Sequence, residues 1–289
     1  MMEKLQKLNG FILKILAMVF MTLDHIGIFM MANPDPTIAK VGLVFRCIGR
    51  VSFPLFVLLL TEGIRHSKNV GMYILRICML ASVVMIAEVI IYYFIDSAIG
   101  SVTSPLIDLA LCGVTLMLLH RKDKLSFLAI IPIAFVLLAT GVQVFELAKE
   151  VSVKWFPFYI RPSYSLFALA LSIGFYYAYD VALKMFKGAN IDEETAKETL
   201  YFRRVVNISQ IMVLFVTNVA IFVLSFIDVN NIAIFDIYIA SIETWSLAAA
   251  LLILFYNGAR GYNAKWFKYG CYLYFPVHIV IIFLLFTLL

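Results

Sequence analysis

Nine apolar runs follow one another along this chain, with only short polar connections between them. They are Phe11 to Met31, Val41 to Thr61, Met72 to Phe94, Pro105 to His120, Ser126 to Leu147, Tyr164 to Phe186, Val205 to Ile227, Ile234 to Phe255 and Tyr269 to Leu289. A bilayer core of roughly 30 Å takes about 20 helical residues to cross, and only the fourth run is clearly shorter. In lipid no water bonds the backbone, so such a run closes its hydrogen bonds within itself as a helix. A β-barrel would instead show period-two alternation over segments about half as long. Composition agrees: 63% of the residues are hydrophobic and 14% charged, against about 45–50% and 25% in soluble domains.

The expected architecture is therefore all-α, a single integral-membrane domain over residues 1–289 with about nine transmembrane helices. The first run has no small-residue cleavage site and reads as a retained span. Lys and Arg concentrate in the N-terminal tail and in the second, fourth, sixth and eighth connections. The alternate side carries only Lys40, Lys149, Lys154 and Arg161. Positive residues stay on the cytoplasmic side, which puts the N-terminus there. The net charge of +5 is thus spread along a membrane face, and implies lipid contact rather than a nucleic-acid partner.

Cys47, Cys78, Cys112 and Cys271 all fall within runs at unpaired spacings and read as packing residues. The connection "KGANIDEETAKETLYFRR" has helical spacing with a Glu193 to Lys197 pair and suits the cytoplasmic surface. "KWFPFYIRP" suits an aromatic interface belt. Four histidines without ligand spacing give no zinc motif, and no Gly-rich phosphate loop is present.

Chemistry is to be sought where ionisable groups lie inside apolar runs, because each is costly there and needs a partner or a purpose. The set is Lys14, Asp24 and His25 in the first run, Arg46 and Arg50 in the second, Glu88, Asp108, Glu243, and His278 in the last. Lys14 and His25, 11 residues apart, share one helix face about 16 Å apart along the axis. Asp24 points about 100° away from His25 and is placed to neutralise Arg46 or Arg50. Glu88, Asp108 or Glu243 is the expected partner orienting the imidazole.

The stretches "LKILAMVFMTLDHIGIFM", "VFRCIGRVSFPLFVLLLTEGIRHSKNVGMYILR" and "KYGCYLYFPVHIVIIFLL" together resemble the TraX family of bacterial membrane proteins. That family is named for the F-plasmid protein that acetylates the N-terminus of pilin. It is similar in turn to the wider transmembrane acyltransferases, in which Lys or Arg, ten intervening residues and His mark the active site of the first span. Lys14 and His25 have that spacing. The resemblance implies an enzyme of the bacterial cytoplasmic membrane that moves an acyl group from cytoplasmic acetyl-CoA to a peptide, glycan or lipid acceptor. Where the family tends to carry Asn-x-x-x-Thr-Leu, this chain reads "PLIDLALCGVTLMLL", with Asp108 as the stand-in.

The residues support that chemistry independently. Acyl transfer needs a base, donors for an oxyanion and a cationic mouth for the CoA phosphates. His25, with a reference pKa near 6.5, is the expected base, with Asp24 beside it. Arg50, with Arg46, is the expected oxyanion donor, and His278 a second acid or base. Lys14, Arg65, Lys68 and Arg76 are the expected phosphate ligands. Two other classes compete: a proton-coupled secondary transporter, with broken helices at mid-depth, and a non-catalytic membrane partner of a secretion machine whose polar groups only hold helices together.

Overall fold

The computed structural model describes residues 7–94, 104–121, 123–149, 151–226, 228–229, 232–233 and 241–288. Its helices are α1 (Gly10–Met31), α2 (Pro36–Gly49), α3 (Ser52–His66), α4 (Val70–Phe94), α5 (Pro105–His120), α6 (Ile130–Lys149), α7 (Ser165–Gly188), α8 (Glu193–Glu198), α9 (Leu200–Leu224), α10 (Ala249–Leu254) and α11 (Lys265–Leu288). Short 3-10 turns lead into α6 and α10, and Asp228–Val229 pairs antiparallel with Ile232–Ala233.

Among the described residues seven apolar helical segments are long enough to cross a membrane, and the chain is an integral membrane protein. Of the nine expected spans, seven reach this length; the fourth and eighth runs form shorter apolar helices, Pro105–His120 and Ser241–Leu254. Residues 234–240 of the eighth run lie outside the described residues. In α4 the buried Ile74, Ile77, Ala81 and Val84 define one face. Met72, Leu75, Met79, Val83, Ile86 and Ile90 form an exposed apolar stripe on the other, which is the pattern of a helix wetted by lipid rather than water.

The second run, expected as one helix, is two. Pro54 has no N–H to offer the Arg50 carbonyl, so the ladder is interrupted after Arg50 N–H bonds Arg46 O at 3.1 Å. Val51 N–H closes a tight turn onto Ile48 O, and α3 starts anew at Ser52. The expected surface helix is present as α8, capped by Asp192 on Thr195 N–H at 3.1 Å. Its Glu193–Lys197 pair is exposed, while Ala196 packs with Ala182, Phe202 and Val206.

The chain divides into two compact units. The first comprises Met1–Leu59, Tyr177–Val219 and Tyr238–Leu289. Here α1 and α2 form a hairpin whose approach is set by glycines. A Cβ on Gly27 would lie 2.7 Å from Gly42 O, one on Gly42 2.8 Å from Met31 N, and one on Gly49 2.6 Å from Asp24 Cα. Backbone meets backbone, as small residues permit between membrane helices. Gly49→Ala is expected to destabilise the protein by roughly 1–3 kcal/mol through overpacking, read as a lower thermal midpoint in detergent. Gly141→Ala, where an added Cβ meets nothing within 4 Å, serves as the control that keeps its midpoint.

In the same unit α1 and α11 run parallel. Phe11 packs on Phe267, Thr22 bonds Tyr274, His25 meets His278, and Phe29 meets Phe283 and Phe286.

The second unit comprises Leu60–Tyr176 and Ala220–Ile237. Its polar centre is Asp108, 1% exposed, whose carboxylate accepts the backbone N–H groups of Ser163 (2.7 Å), Tyr164 (3.0 Å) and Ser165 (2.8 Å). These are orphan donors at the start of α7, which a buried carboxylate satisfies. In the "KWFPFYIRP" connection Trp155 is exposed, as a belt residue would be, but Phe156 is buried with Ala139 and Val142. Arg161 is buried beneath that loop, paired with Glu146 and donating to Phe156 O.

Candidate functional site

On α1 the buried positions Leu13, Ala17, Met21, Asp24 and Gly27 recur every three or four residues, so Asp24 faces α2 through the glycine contact. Its carboxylate accepts Arg46 Nη1 at 2.8 Å and Arg50 Nε at 3.1 Å, and also pairs with Arg50 Nη2. Arg50 Nη1 reaches Glu243 Oε2 at 3.3 Å. Two cations and two carboxylates thus balance in a buried cluster, which such charges require inside a membrane. Glu243 Oε1 is buried without a hydrogen-bond partner.

His25, the neighbour of Asp24, turns to α11 instead. Its Nδ1 lies 2.8 Å from Met21 O, one turn earlier, and 3.3 Å from His278 Nε2. His278 Nδ1 in turn lies 2.8 Å from Tyr274 O. A carbonyl only accepts, so each Nδ1 carries the proton and each Nε2 the lone pair. His278 Nε2 faces the His25 Nδ1–H, and His25 Nε2 is left as an acceptor with no protein partner among the described residues. The two rings meet edge to face at 4.9 Å and 72°.

Tyr274 locks this arrangement. Its ring stacks on His278 at 5.0 Å and 7°, and its hydroxyl bonds Thr22 Oγ1. Thr22 gives its own proton to Met18 O at 2.9 Å, so the phenol is the donor to Thr22.

The orienting partner of the imidazole was expected among Glu88, Asp108 and Glu243. None of them has that part. Met21 O and His278 do, because a helical His reaches its own preceding turn before it reaches another helix. Glu243 binds Arg50, Asp108 binds the amides at the start of α7, and Glu88 Oε2 is buried without a partner.

Of the sequence candidates, the first unit therefore brings together Asp24, His25, Arg46, Arg50 and His278. Lys14, on the same helix, has its Nζ 5.9 Å from the Phe267 ring centre. Arg65 and Arg76 belong to the second unit. There the Arg65 guanidinium lies 4.2 Å over the Tyr176 ring and donates to Tyr176 O, and His120 Nδ1 meets the Tyr176 hydroxyl at 2.6 Å. Arg76 is half-buried on α4. Tyr274, Thr22 and the His120–Tyr176 pair were not legible in advance. The signal that could have found Tyr274 is its place one turn before His278. Among the described residues no three His, Cys, Asp or Glu converge to hold a metal ion.

These features define a class, a multi-pass helical membrane protein with a charge-balanced Asp–Arg–Glu cluster beside an intramembrane histidine pair. The family model described as TraX protein matches residues 9–187, more than half of the chain, and the chain belongs to the TraX family. Among curated proteins and among solved structures no match was found. The matched residues include Lys14, Asp24, His25, Arg46, Arg50, Arg65 and Arg76, whereas Glu243, Tyr274 and His278 lie beyond them.

Proposed function

We propose that this protein is a membrane-embedded acyltransferase of the bacterial cytoplasmic membrane. It takes an acetyl group from cytoplasmic acetyl-CoA and passes it to an amine or hydroxyl of a peptide, glycan or lipid acceptor. The carrying observation is His25: its Nδ1–H is committed to Met21 O, which leaves Nε2 as a base on the residue next to Asp24, the carboxylate that holds two arginines. Membership of a family associated with pilin acetylation supports the same reading.

In the reaction, His25 Nε2 takes the proton of the acceptor N–H or O–H as that atom bonds the thioester carbon. The carbon–sulfur bond then breaks with its electron pair on sulfur, and the imidazolium returns the proton to the CoA thiolate. The imidazolium that forms between these events is stabilised by the His278 Nε2 lone pair facing its Nδ1–H and by the neighbouring Asp24 charge. Arg46, which spends one N–H on Asp24 and keeps a quarter-exposed side chain (23%), is the better oxyanion donor. Arg50 is held between Asp24 and Glu243 and serves to position the cluster.

Thermal stabilisation of the detergent-purified protein tests the donor. Acetyl-CoA is expected to raise the midpoint in a concentration-dependent manner, CoA nearly as much and ATP far less, because a ligand of the folded state must stabilise it. No shift with any acyl-CoA would overturn the reading. A second reading is favoured by one observation, the break between α2 and α3 inside a 31-residue apolar segment. Broken helices suit proton-coupled transport, and substrate-driven proton movement in vesicles would select it.

A further inference from the structure

We propose that the loop 255–264, pinned against the start of α1, forms with Lys14 and Arg260 a seat for a phosphate-bearing adenosine group. Resting on the acyl-CoA reading above, this is the end of the donor remote from its thioester.

The loop is built rather than draped. Leu8 N–H bonds Phe255 O at 3.1 Å, Asn257 N–H bonds Leu8 O at 2.9 Å and Gly10 N–H bonds Ala259 O at 2.8 Å. Asn207 Nδ2 holds Tyr256 O at 2.8 Å, and Asn257 Oδ1 accepts Ala259 N–H at 2.8 Å. Gly258 and Gly261 take φ of +78° and +71°, which favour glycine. A side chain on Gly261 would also strike Asn9, the cap of α1.

This loop lays the Arg260 backbone against the start of α1, where a Cβ on Gly10 would lie 3.3 Å from Arg260 O, one helical turn before Lys14. Among the described residues the charged and titratable groups that act on Lys14 are Arg260 and Cys271, with no carboxylate among them. Neither cation has a hydrogen bond or ion pair to a described residue. Two like charges held on adjoining segments repel each other, and a polyanion bridging them removes that repulsion. The central cluster of the protein is charge-balanced, so this imbalance is local to the loop.

The same place offers aromatic faces. Phe11 packs on Tyr262 at 5.4 Å and on Phe267 at 4.7 Å, Trp266 Nε1 donates to the Tyr262 hydroxyl at 2.9 Å, and Tyr262 and Trp266 are exposed. A purine stacks on such rings. His25 lies about 16 Å further along α1 than Lys14. An extended pantetheine arm suits that separation.

The test measures apparent affinity from thermal-shift titrations of the full chain in detergent. Wild type, Arg260→Ala and Tyr262→Ala are titrated with CoA, 3′-dephospho-CoA and acetyl-pantetheine, and with phosphatidylglycerol in the micelles as a separate arm. Arg260 is exposed, so its variant is expected to keep the unliganded midpoint. CoA is expected to bind Arg260→Ala about tenfold more weakly, the loss of one charge-assisted hydrogen bond. Acetyl-pantetheine is expected to bind both alike. Equal CoA affinity in wild type and both variants would overturn the seat while leaving the acyl-CoA reading intact. Failure of CoA to shift wild type would overturn that reading itself. Stabilisation by phosphatidylglycerol alone, lost in Arg260→Ala, would overturn the donor assignment in favour of a lipid phosphate.

Discussion

Asp24→Ala is expected to cost about 3–5 kcal/mol of stability, because it leaves Arg50 buried with only Glu243 as its acid and Arg46 partly buried without its ion pair. Against a whole stability of about 5–15 kcal/mol, that is a large share. The expected result is a much lower yield of monodisperse protein and a clearly lower thermal midpoint. Asp24→Asn keeps the shape, loses the charge and is expected to behave almost as badly. Removing a positive charge as well, in Asp24→Asn with Arg50→Gln, is expected to recover part of the loss, since the penalty comes from the unpaired cation. An Asp24→Ala protein as stable as wild type would mean that the cluster does not hold α1 to α2.

His25→Ala is expected to lower acyl transfer by about 100- to 10,000-fold, the span of a positioned base, with little change in midpoint. His25 gives the fold one bond within its own helix and a longer neutral contact of 3.3 Å to His278, whereas Asp24 holds two cations against α1. The two neighbours on α1 are thus separable by measurement: loss at Asp24 shows in folding, loss at His25 in turnover. CoA affinity of His25→Ala should match wild type, because the proposed phosphate seat is near Lys14, remote from His25. Equal loss of folding in His25→Ala would instead assign the imidazole a structural part.

Much of this was legible in the chain because membrane helices leave few ionisable residues to consider. The apolar runs give the helices, and Asp24, His25, Arg46, Arg50 and His278 converge as a short list would suggest. The pairing of Asp24 with both arginines follows from its angle on α1. What the sequence could not carry is tertiary. The break after Arg50 needed the Pro54 effect to be weighed against a continuous apolar pattern. The His25–His278 contact depends on α1 and α11 running parallel, which no local spacing encodes. Asp108 looked like chemistry and is a cap on α7, because orphan amides at a helix start are invisible until two segments meet. Arg65 looked like a phosphate ligand and stacks on Tyr176.

The most direct measurement supplies acetyl-CoA labelled in its acetyl group to inverted membrane vesicles containing either wild-type protein or His25→Ala at equal amount. The label recovered in protein, glycan and lipid fractions is then counted. The account predicts label in one of these fractions with wild type and its near-complete absence with His25→Ala. Equal labelling by the two proteins, or none with wild type above vesicles lacking the protein, would contradict it.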